Sequence, residues 1–193
     1  MTIKHLIEPA KTQYRRNNNE YHNWEHVEYV MEWLEAHGYD HDSYMLAASY
    51  HDVIYDDLPN KEFRSVNFLH KTIFDESFKP SAETVGKASV MIASTTDHKF
   101  DNWPEYCHPL IKADLHQLGD PGKVVLNYGN IMRESIRLYS ISEYEFADNN
   151  IKFMRLLSDT CKDNQLIDDD DVFWGNVQLG IETSIRISEE IMR

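Results

Sequence analysis

Apolar residues recur three and four positions apart along most of the chain, which is the spacing of one face of an α-helix. The first such set is followed by Gly38, a typical helix-ending residue, and consists of Trp24, Val27, Val30, Met31 and Leu34. No stretch alternates apolar and polar residues for long enough to predict a β-strand. The pattern therefore predicts an all-α fold, built as a single compact helical bundle over residues 1–193.

Several further segments carry the same helical spacing and are separated by most of the few glycines and prolines. The mostly apolar run from Tyr44 to Tyr55 predicts a buried helix, and Ser81 is placed to cap another helix that contains Ala88 and Met91. The other predicted helices contain Phe63, Val66, Leu69 and Ile73, or span Pro109 to Leu118, the segment from Pro121 to Ile136, Glu143 to Leu157 and Val172 to Ile191.

Composition narrows the class of protein. A formal net charge of −14 over 193 residues argues against a protein that coats nucleic acid, because such proteins carry basic stripes. No apolar stretch approaches the ~20 residues needed to cross a bilayer, and the first residues have no signal-peptide core. We therefore expect a cytoplasmic protein without a membrane partner, in which Cys107 and Cys161 are reduced thiols.

Histidines and carboxylates are the candidates for chemistry. His22 and His26 are four residues apart and would share one face of a helix. His51 and Asp52 lie inside an apolar run, where a buried carboxylate is costly unless it is paired or binds a metal. Asp114 lies between apolar residues of a predicted helix. Each of these residues also has an ordinary structural interpretation when it is taken alone.

Other patterns support weaker hypotheses. Residues 22–26 spell His-x-x-Glu-His, the inverted zinc-protease motif, in which Glu25 would be the base, but this leaves His51, Asp52 and Asp114 without a role. The acidic run 168–171 lacks the glycine of a calcium loop and fits favourable charge at a helix N-terminus. A set of aromatic side chains suits core packing better than base stacking, namely Tyr21, Trp24, Tyr50, Tyr55 and Trp103.

Taken together, His26, His51-Asp52 and Asp114 resemble the ordered H…HD…D signature of the HD superfamily, and in particular a bacterial group of predicted metal-dependent HD phosphohydrolases. The resemblance covers residues 14–190. Its further features are Tyr21-His22, Tyr55-Asp56 after the His-Asp pair, Glu62 followed by Ser65, Ile92-x-x-Thr95-x-x-His98, and Ala113-Asp114-Leu115-x-x-Leu118-Gly119. The chain departs from the group's usual residues at Glu20, Lys112, 148–150 and Ser188.

The resemblance implies a single HD-type domain that hydrolyses a nucleotide or a related phosphomonoester or phosphodiester through a metal-activated water. It implies four metal ligands, His26, His51, Asp52 and Asp114, and catalytic roles for His51, Asp52, Glu62 and His98. Substrate-contacting or supporting roles fall to His22, Asp56, Arg16 and Lys61. Imidazole ligands favour Mn, Fe, Co, Ni or Zn, with Mg as a further candidate. The alternative is a non-catalytic or regulatory HD-type nucleotide-binding module.

Overall fold

Helices account for all the regular secondary structure among residues 3–77 and 79–193, which this computed structural model describes, and these residues form no strand. The predicted all-α class is confirmed. The α-helices are α1 (Lys4–Asn17), α2 (Trp24–Ala36), α3 (Asp42–Tyr50), α4 (Lys61–Asp75), α5 (Ala82–Ser94), α6 (His108–Leu115), α7 (Val124–Tyr139), α8 (Glu143–Gln165) and α9 (Asp171–Ile191). Short 3-10 helices span Phe100–Asn102, Glu105–Cys107 and His116–Gly119.

The chain divides into two compact units. The first contains the described residues up to His98 together with Trp103–Ala113, and the second contains Lys99–Asn102 and Asp114–Arg193. The boundary falls within α6, so the last two residues of this helix are assigned to the second unit. The prediction of a single domain stays a prediction.

In the first unit, α3 is the central helix. It contacts α1, α2, α4 and α5, and every residue from Tyr44 to Tyr50 is buried. The sequence permits burial on all sides because this segment consists of apolar, small or aromatic residues without a charge. A helix buried in this way holds the residues that follow it, His51 and Asp52, against the interior of the unit.

Helix α1 was absent from the set of helices that the sequence predicted. Its buried residues are Leu6, Ala10 and Tyr14, which follow one another at intervals of four and form a narrow apolar stripe. The Tyr50 hydroxyl donates a hydrogen bond to the Leu6 carbonyl oxygen and so ties α1 to the end of α3. Polar residues separate these positions, so the sequence shows no continuous apolar run in this segment.

Helix α3 ends at Tyr50, whereas the sequence predicted that it would continue to Tyr55. Side chains from other segments satisfy the backbone beyond this point. The Asp52 N–H donates to the Tyr14 hydroxyl at 3.2 Å, and the Ile54 N–H donates to Ser65 Oγ at 3.1 Å. The Asn17 side-chain amide donates to the Val53 carbonyl oxygen at 3.0 Å. These tertiary hydrogen bonds replace the helical ones, so the apolar run can turn away.

The second unit is dominated by the packing of α9 against α8, α7 and the 3-10 helix His116–Gly119. Helix α8 runs to Gln165, beyond the predicted end at Leu157, because Cys161 and Asn164 continue its buried face. Gly180 permits close approach, since a Cβ atom placed there would lie 1.7 Å from the Leu118 carbonyl oxygen.

Polar side chains cap the starts of α5 and α8. The Ser81 side chain accepts a hydrogen bond from the Thr84 N–H at 3.0 Å and caps α5, as expected. Ser142 and Glu145 form a reciprocal capping box at the start of α8. None of the helices formed by the described residues combines the length and apolar character needed to cross a membrane.

Candidate metal centre

Four side chains predicted as metal ligands converge in the structure. Each of His26, His51, Asp52 and Asp114 offers one ligand atom, and these four atoms lie within 4.8 Å of one another. The two histidines are buried and the two aspartates are half-buried. Two imidazoles and two carboxylates form a mixed nitrogen and oxygen donor set, which can hold a divalent metal ion.

Local structure positions each of these residues. His26 lies in the first turn of α2, where Asn23 Oδ1 accepts hydrogen bonds from the Glu25 and His26 N–H groups at 2.8 and 3.2 Å. His51 follows the last residue of α3, and Asp52 is next in the chain. Asp114 lies in the last turn of α6. The backbone at Asp52 is held by its hydrogen bond to Tyr14.

Hydrogen bonding assigns the tautomer of His51. Its Nδ1 atom lies 2.8 Å from the Ala48 carbonyl oxygen, which can only accept a hydrogen bond. Nδ1 therefore carries a proton, and in the neutral form of the ring Nε2 is the atom that presents a lone pair to a metal. This Nε2 lies 3.1 Å from both Asp52 Oδ2 and His26 Nε2.

A positive charge at the centre of the cluster would stabilise this arrangement. The Asp52 carboxylate and the His51 lone pair are both acceptors, and His26 Nε2 lies 3.8 Å from the same carboxylate oxygen. A proton on one ring nitrogen satisfies only part of this set, whereas a metal ion can bind all of these atoms at once. The donor set thus fits a divalent cation on both chemistry and spacing.

The sequence predicted that His22 and His26 share one face of a helix. This prediction is wrong, because α2 begins only at Trp24 and His22 lies before it. Its imidazole instead stacks on Tyr55, with ring centroids 3.5 Å apart and an interplanar angle of 14°. His22 Nε2 lies 3.9 Å from Asp52 Oδ2. His22 therefore lies at the edge of the cluster, outside the group of four ligands.

Lys61 contacts the same tyrosine. Its Nζ atom lies 3.6 Å from the centroid of the Tyr55 ring. An imidazole and an ammonium at such short distances cannot occupy one face, so His22 and Lys61 cover opposite faces of Tyr55. Tyr55 therefore has no face left for stacking a nucleobase. Its ring lies between the Lys61 ammonium and His22, which is at the edge of the candidate metal centre.

The remaining residues to which the resemblance assigned roles are Asp56, Glu62, His98 and Arg16. Asp56 forms an ion pair with Arg64 and accepts a hydrogen bond from the Leu58 N–H at 3.0 Å. Glu62 is half-buried in the first turn of α4. His98 follows α5 with a positive φ of 56°. Arg16 is exposed on α1.

Tyr14 supports the site and was missing from the residues selected by sequence. It is 1% exposed, and its hydroxyl accepts the Asp52 N–H. Its position 38 residues before Asp52 gave no local signal of this contact. The apolar stripe of α1 identifies Tyr14 as a buried residue, but only the fold brings its hydroxyl to the metal centre.

The zinc-protease motif at residues 22–26 and the acidic run at 168–171 were two further hypotheses from the sequence. Glu25, the base required by a zinc-protease motif, is exposed, and His26 groups with His51 rather than with His22. The acidic run before α9 serves the helix start, as expected, since Asp170 Oδ1 accepts from the Phe173 N–H at 3.1 Å.

Comparisons of this chain with family models, curated proteins and solved structures find no match. The centre of the site consists of the buried His26 and His51 and the half-buried Asp52 and Asp114.

Proposed function

We propose that this chain is a metal-dependent phosphohydrolase that acts on a nucleotide or a related phosphomonoester or phosphodiester. The observation that carries the proposal is the convergence of His26, His51, Asp52 and Asp114, whose ligand atoms lie within 4.8 Å of one another. These residues are the ordered H…HD…D set of the family that the sequence resembles. The intact set favours an enzyme over a regulatory module without catalysis.

The composition of the site supports this class of reaction. Two carboxylates balance the charge of one divalent cation, so the centre is close to neutral before an anionic substrate binds. When bound, such a cation supplies Lewis acidity that acidifies a coordinated water and polarises a phosphoryl oxygen. Neutral imidazoles favour Mn, Fe, Co, Ni or Zn over Ca.

The protein's own groups hold the ligands in place. The Ala48 carbonyl oxygen fixes the His51 tautomer at 2.8 Å, and the Tyr14 hydroxyl fixes the backbone of Asp52 at 3.2 Å. Contacts of this kind orient metal ligands and commonly change metal affinity or activity by roughly 10–100-fold. They support a preorganised site in which little rearrangement is needed when the cation binds.

Lys61 is the cation that we assign to the substrate's phosphate. Its ammonium lies over Tyr55, and the opposite face of Tyr55 carries His22 at the edge of the ligand set. An ammonium in this position offers positive charge to an oxyanion without competing for the metal ligands. Glu62, the next residue on α4, is the candidate acid–base group.

The test is metal analysis of the purified protein, followed by phosphate release from a panel of nucleotides with Mn, Ni, Co, Zn and Mg. Wild-type protein should retain a divalent metal and hydrolyse at least one nucleotide. The Lys61→Met variant should bind metal normally and show a raised KM for that substrate, with Lys71→Met, an exposed lysine of the same helix, as the control. Metal retention without hydrolysis of any phosphoester would favour the regulatory module.

A further inference from the structure

Three consecutive asparagines lie at the end of α1, and each makes a different contact. Asn18 has a positive φ of 51°, a left-handed conformation that asparagine tolerates, and its N–H donates to the Tyr14 carbonyl oxygen at 3.3 Å. Its neighbours Asn17 and Asn19 both donate side-chain hydrogen bonds to the segment that follows α3. The end of α1 therefore holds the segment that carries two of the predicted metal ligands.

Asn17 and Asn19 contact this segment at different points. The Asn17 amide donates to the Val53 carbonyl oxygen at 3.0 Å, directly after the ligand Asp52. The Asn19 amide donates to the Tyr55 carbonyl oxygen at 3.3 Å. Asn19 is 6% exposed, and burial of a polar side chain is costly unless it has such a partner. Asn19 is therefore placed to fix the backbone at Tyr55 rather than at the ligands.

The backbone at Tyr55 decides where the Tyr55 ring lies. One face of the ring stacks on His22, with centroids 3.5 Å apart, and the Lys61 ammonium lies 3.6 Å from the ring centroid on the other face. His22 Nε2 lies 3.9 Å from Asp52 Oδ2, so the stack begins at the edge of the metal centre. Because the ring attracts the cation above it, a shift of the Tyr55 ring would displace the Lys61 ammonium.

Other side chains hold the part of the segment nearer to α3. Tyr14 and Ser65 accept hydrogen bonds from its backbone N–H groups, and Asn17 donates to one of its carbonyl oxygens. These contacts remain when the Asn19 side chain is removed. Loss of Asn19 should therefore disturb the ring without disturbing the ligands.

We propose that Asn19 is a positioning residue that acts through Tyr55 to hold the Lys61 ammonium where it meets the substrate's phosphate. The role of Lys61 in binding phosphate rests on the proposed function, whereas the position of its ammonium can be measured without a substrate or a metal. Asn19 thus affects phosphate affinity and leaves metal binding unchanged.

The position of Lys61 is measured by NMR in the metal-free protein. An aromatic ring shifts protons above its face upfield, so the ε-methylene protons of Lys61, assigned with Lys61→Arg, should resonate upfield of those of the exposed Lys71. Asn19→Ala should move them toward the Lys71 position, and Tyr55→Leu should abolish the difference. Asn19→Asp keeps the size of the side chain but removes the donor, and it replaces Asn19→Ala if the alanine variant does not fold. An unchanged Lys61 resonance would overturn the proposal.

Asn17→Ala is the matched control. It removes a similar hydrogen bond from the same segment, but at Val53, so the Lys61 resonance should stay near its wild-type position. Equal shifts in Asn17→Ala and Asn19→Ala would show that any loosening of the segment moves Lys61, and would contradict a specific role for Asn19.

Calorimetry with inorganic phosphate and metal-loaded protein measures the consequence. Lys61→Met should weaken phosphate binding by about tenfold or more, and Asn19→Ala by about two- to fivefold, the size of an exposed cation–π contact, both with wild-type metal content. Loss of metal in Asn19→Ala, or unchanged phosphate affinity despite a displaced Lys61, would contradict the proposal. Absence of phosphate binding by wild type would instead reject the phosphate role of Lys61, and the NMR measurement would still decide whether Asn19 positions it.

Discussion

The Nε2 atoms of His26 and His51 face each other at 3.1 Å, although 25 residues separate them in the sequence. With the proton of His51 placed on Nδ1 by the Ala48 carbonyl oxygen, its Nε2 lone pair is directed to the point where Asp52 also converges. The fold thus places potential electron-pair donors together at a position where a bound cation would stabilise them.

The first prediction concerns metal retention. His51→Ala and Asp52→Ala should each reduce the metal content of purified protein to less than a tenth of wild type, since loss of a ligand exceeds the roughly 10–100-fold effect of losing a supporting contact. Helical content by circular dichroism should be largely unchanged, because the buried helices around α3 do not depend on these ligands. Full metal occupancy in either variant would reject the assigned ligand set.

The second prediction concerns Tyr14. Tyr14→Phe keeps the buried ring but removes the hydroxyl that accepts the Asp52 N–H at 3.2 Å. We expect metal affinity to fall by roughly 10–100-fold and the free energy of unfolding of the metal-free protein to fall by about 1–3 kcal/mol. Metal titration and urea unfolding measure the two effects separately. If metal affinity stays at the wild-type level, Tyr14 has only a packing role.

Much of the site could be predicted from the sequence, because its residues stand out locally. His51 and Asp52 interrupt an apolar run, and their order relative to His26 and Asp114 is a recognisable signature. These features depend on residue type and order alone. The four residues that they identified are the four that the fold brings together.

The details that long-range contacts decide could not be predicted in this way. The end of α3 at Tyr50 depends on hydrogen bonds that the following backbone makes with Tyr14, Asn17 and Ser65, which lie on other helices. The position of His22 also depends on a residue far away in the sequence. His22 lies before the start of α2, and its ring stacks on Tyr55. The apolar run through residues 51–55 is compatible with a continued helix, and the tertiary partners end it instead.

The third prediction concerns Glu62 and His98, the two proposed catalytic residues outside the ligand set. Glu62→Gln should lower kcat by roughly 10²–10⁴-fold if Glu62 is the acid–base group, with nearly unchanged metal content. His98 has a positive φ of 56°, so His98→Asn is the appropriate substitution, because asparagine tolerates this backbone conformation. We expect weaker phosphate affinity or loss of a second metal equivalent in His98→Asn. Wild-type kinetics and metal stoichiometry in both variants would assign these residues structural roles.

The fourth prediction concerns alkaline stability. Burial raises the pKa of Cys107 from 9.0 to about 11 and that of Cys161 from 9.0 to about 12. The folded protein therefore keeps protons that the unfolded chain releases above pH 9, so the free energy of unfolding falls as pH rises through this window. Urea unfolding should show lower stability at about pH 10 than at about pH 8.

The matched control replaces both thiols. A Cys107→Ala, Cys161→Ala variant should lose less stability over the same pH interval, although Tyr50, whose pKa burial raises to about 12, leaves part of the slope in place. An identical pH dependence in the two proteins would show that the thiols do not contribute.

The fifth prediction tests the close approach in the second unit. Gly180→Ala places a Cβ atom 1.7 Å from the Leu118 carbonyl oxygen, so we expect a loss of more than about 3 kcal/mol in the free energy of unfolding. Gly175→Ala is the control on the same helix, because nothing lies within 4 Å of its Cβ position. It should stabilise the protein by about 0.5–1 kcal/mol. Thermal unfolding measures both effects. Equal shifts in the melting temperatures of the two variants would contradict this packing.

The central claim is tested most directly by nucleotide hydrolysis in metal-depleted and metal-reloaded protein. Phosphate or nucleoside release is measured for wild type and Asp52→Ala, without metal and with Mn, Co, Ni, Zn or Mg. We predict that wild-type activity disappears on depletion and returns with at least one of these ions, whereas Asp52→Ala stays inactive with every ion. Hydrolysis by Asp52→Ala at the wild-type rate, or wild-type hydrolysis that is unchanged by depletion, would contradict a metal-dependent phosphohydrolase at this site.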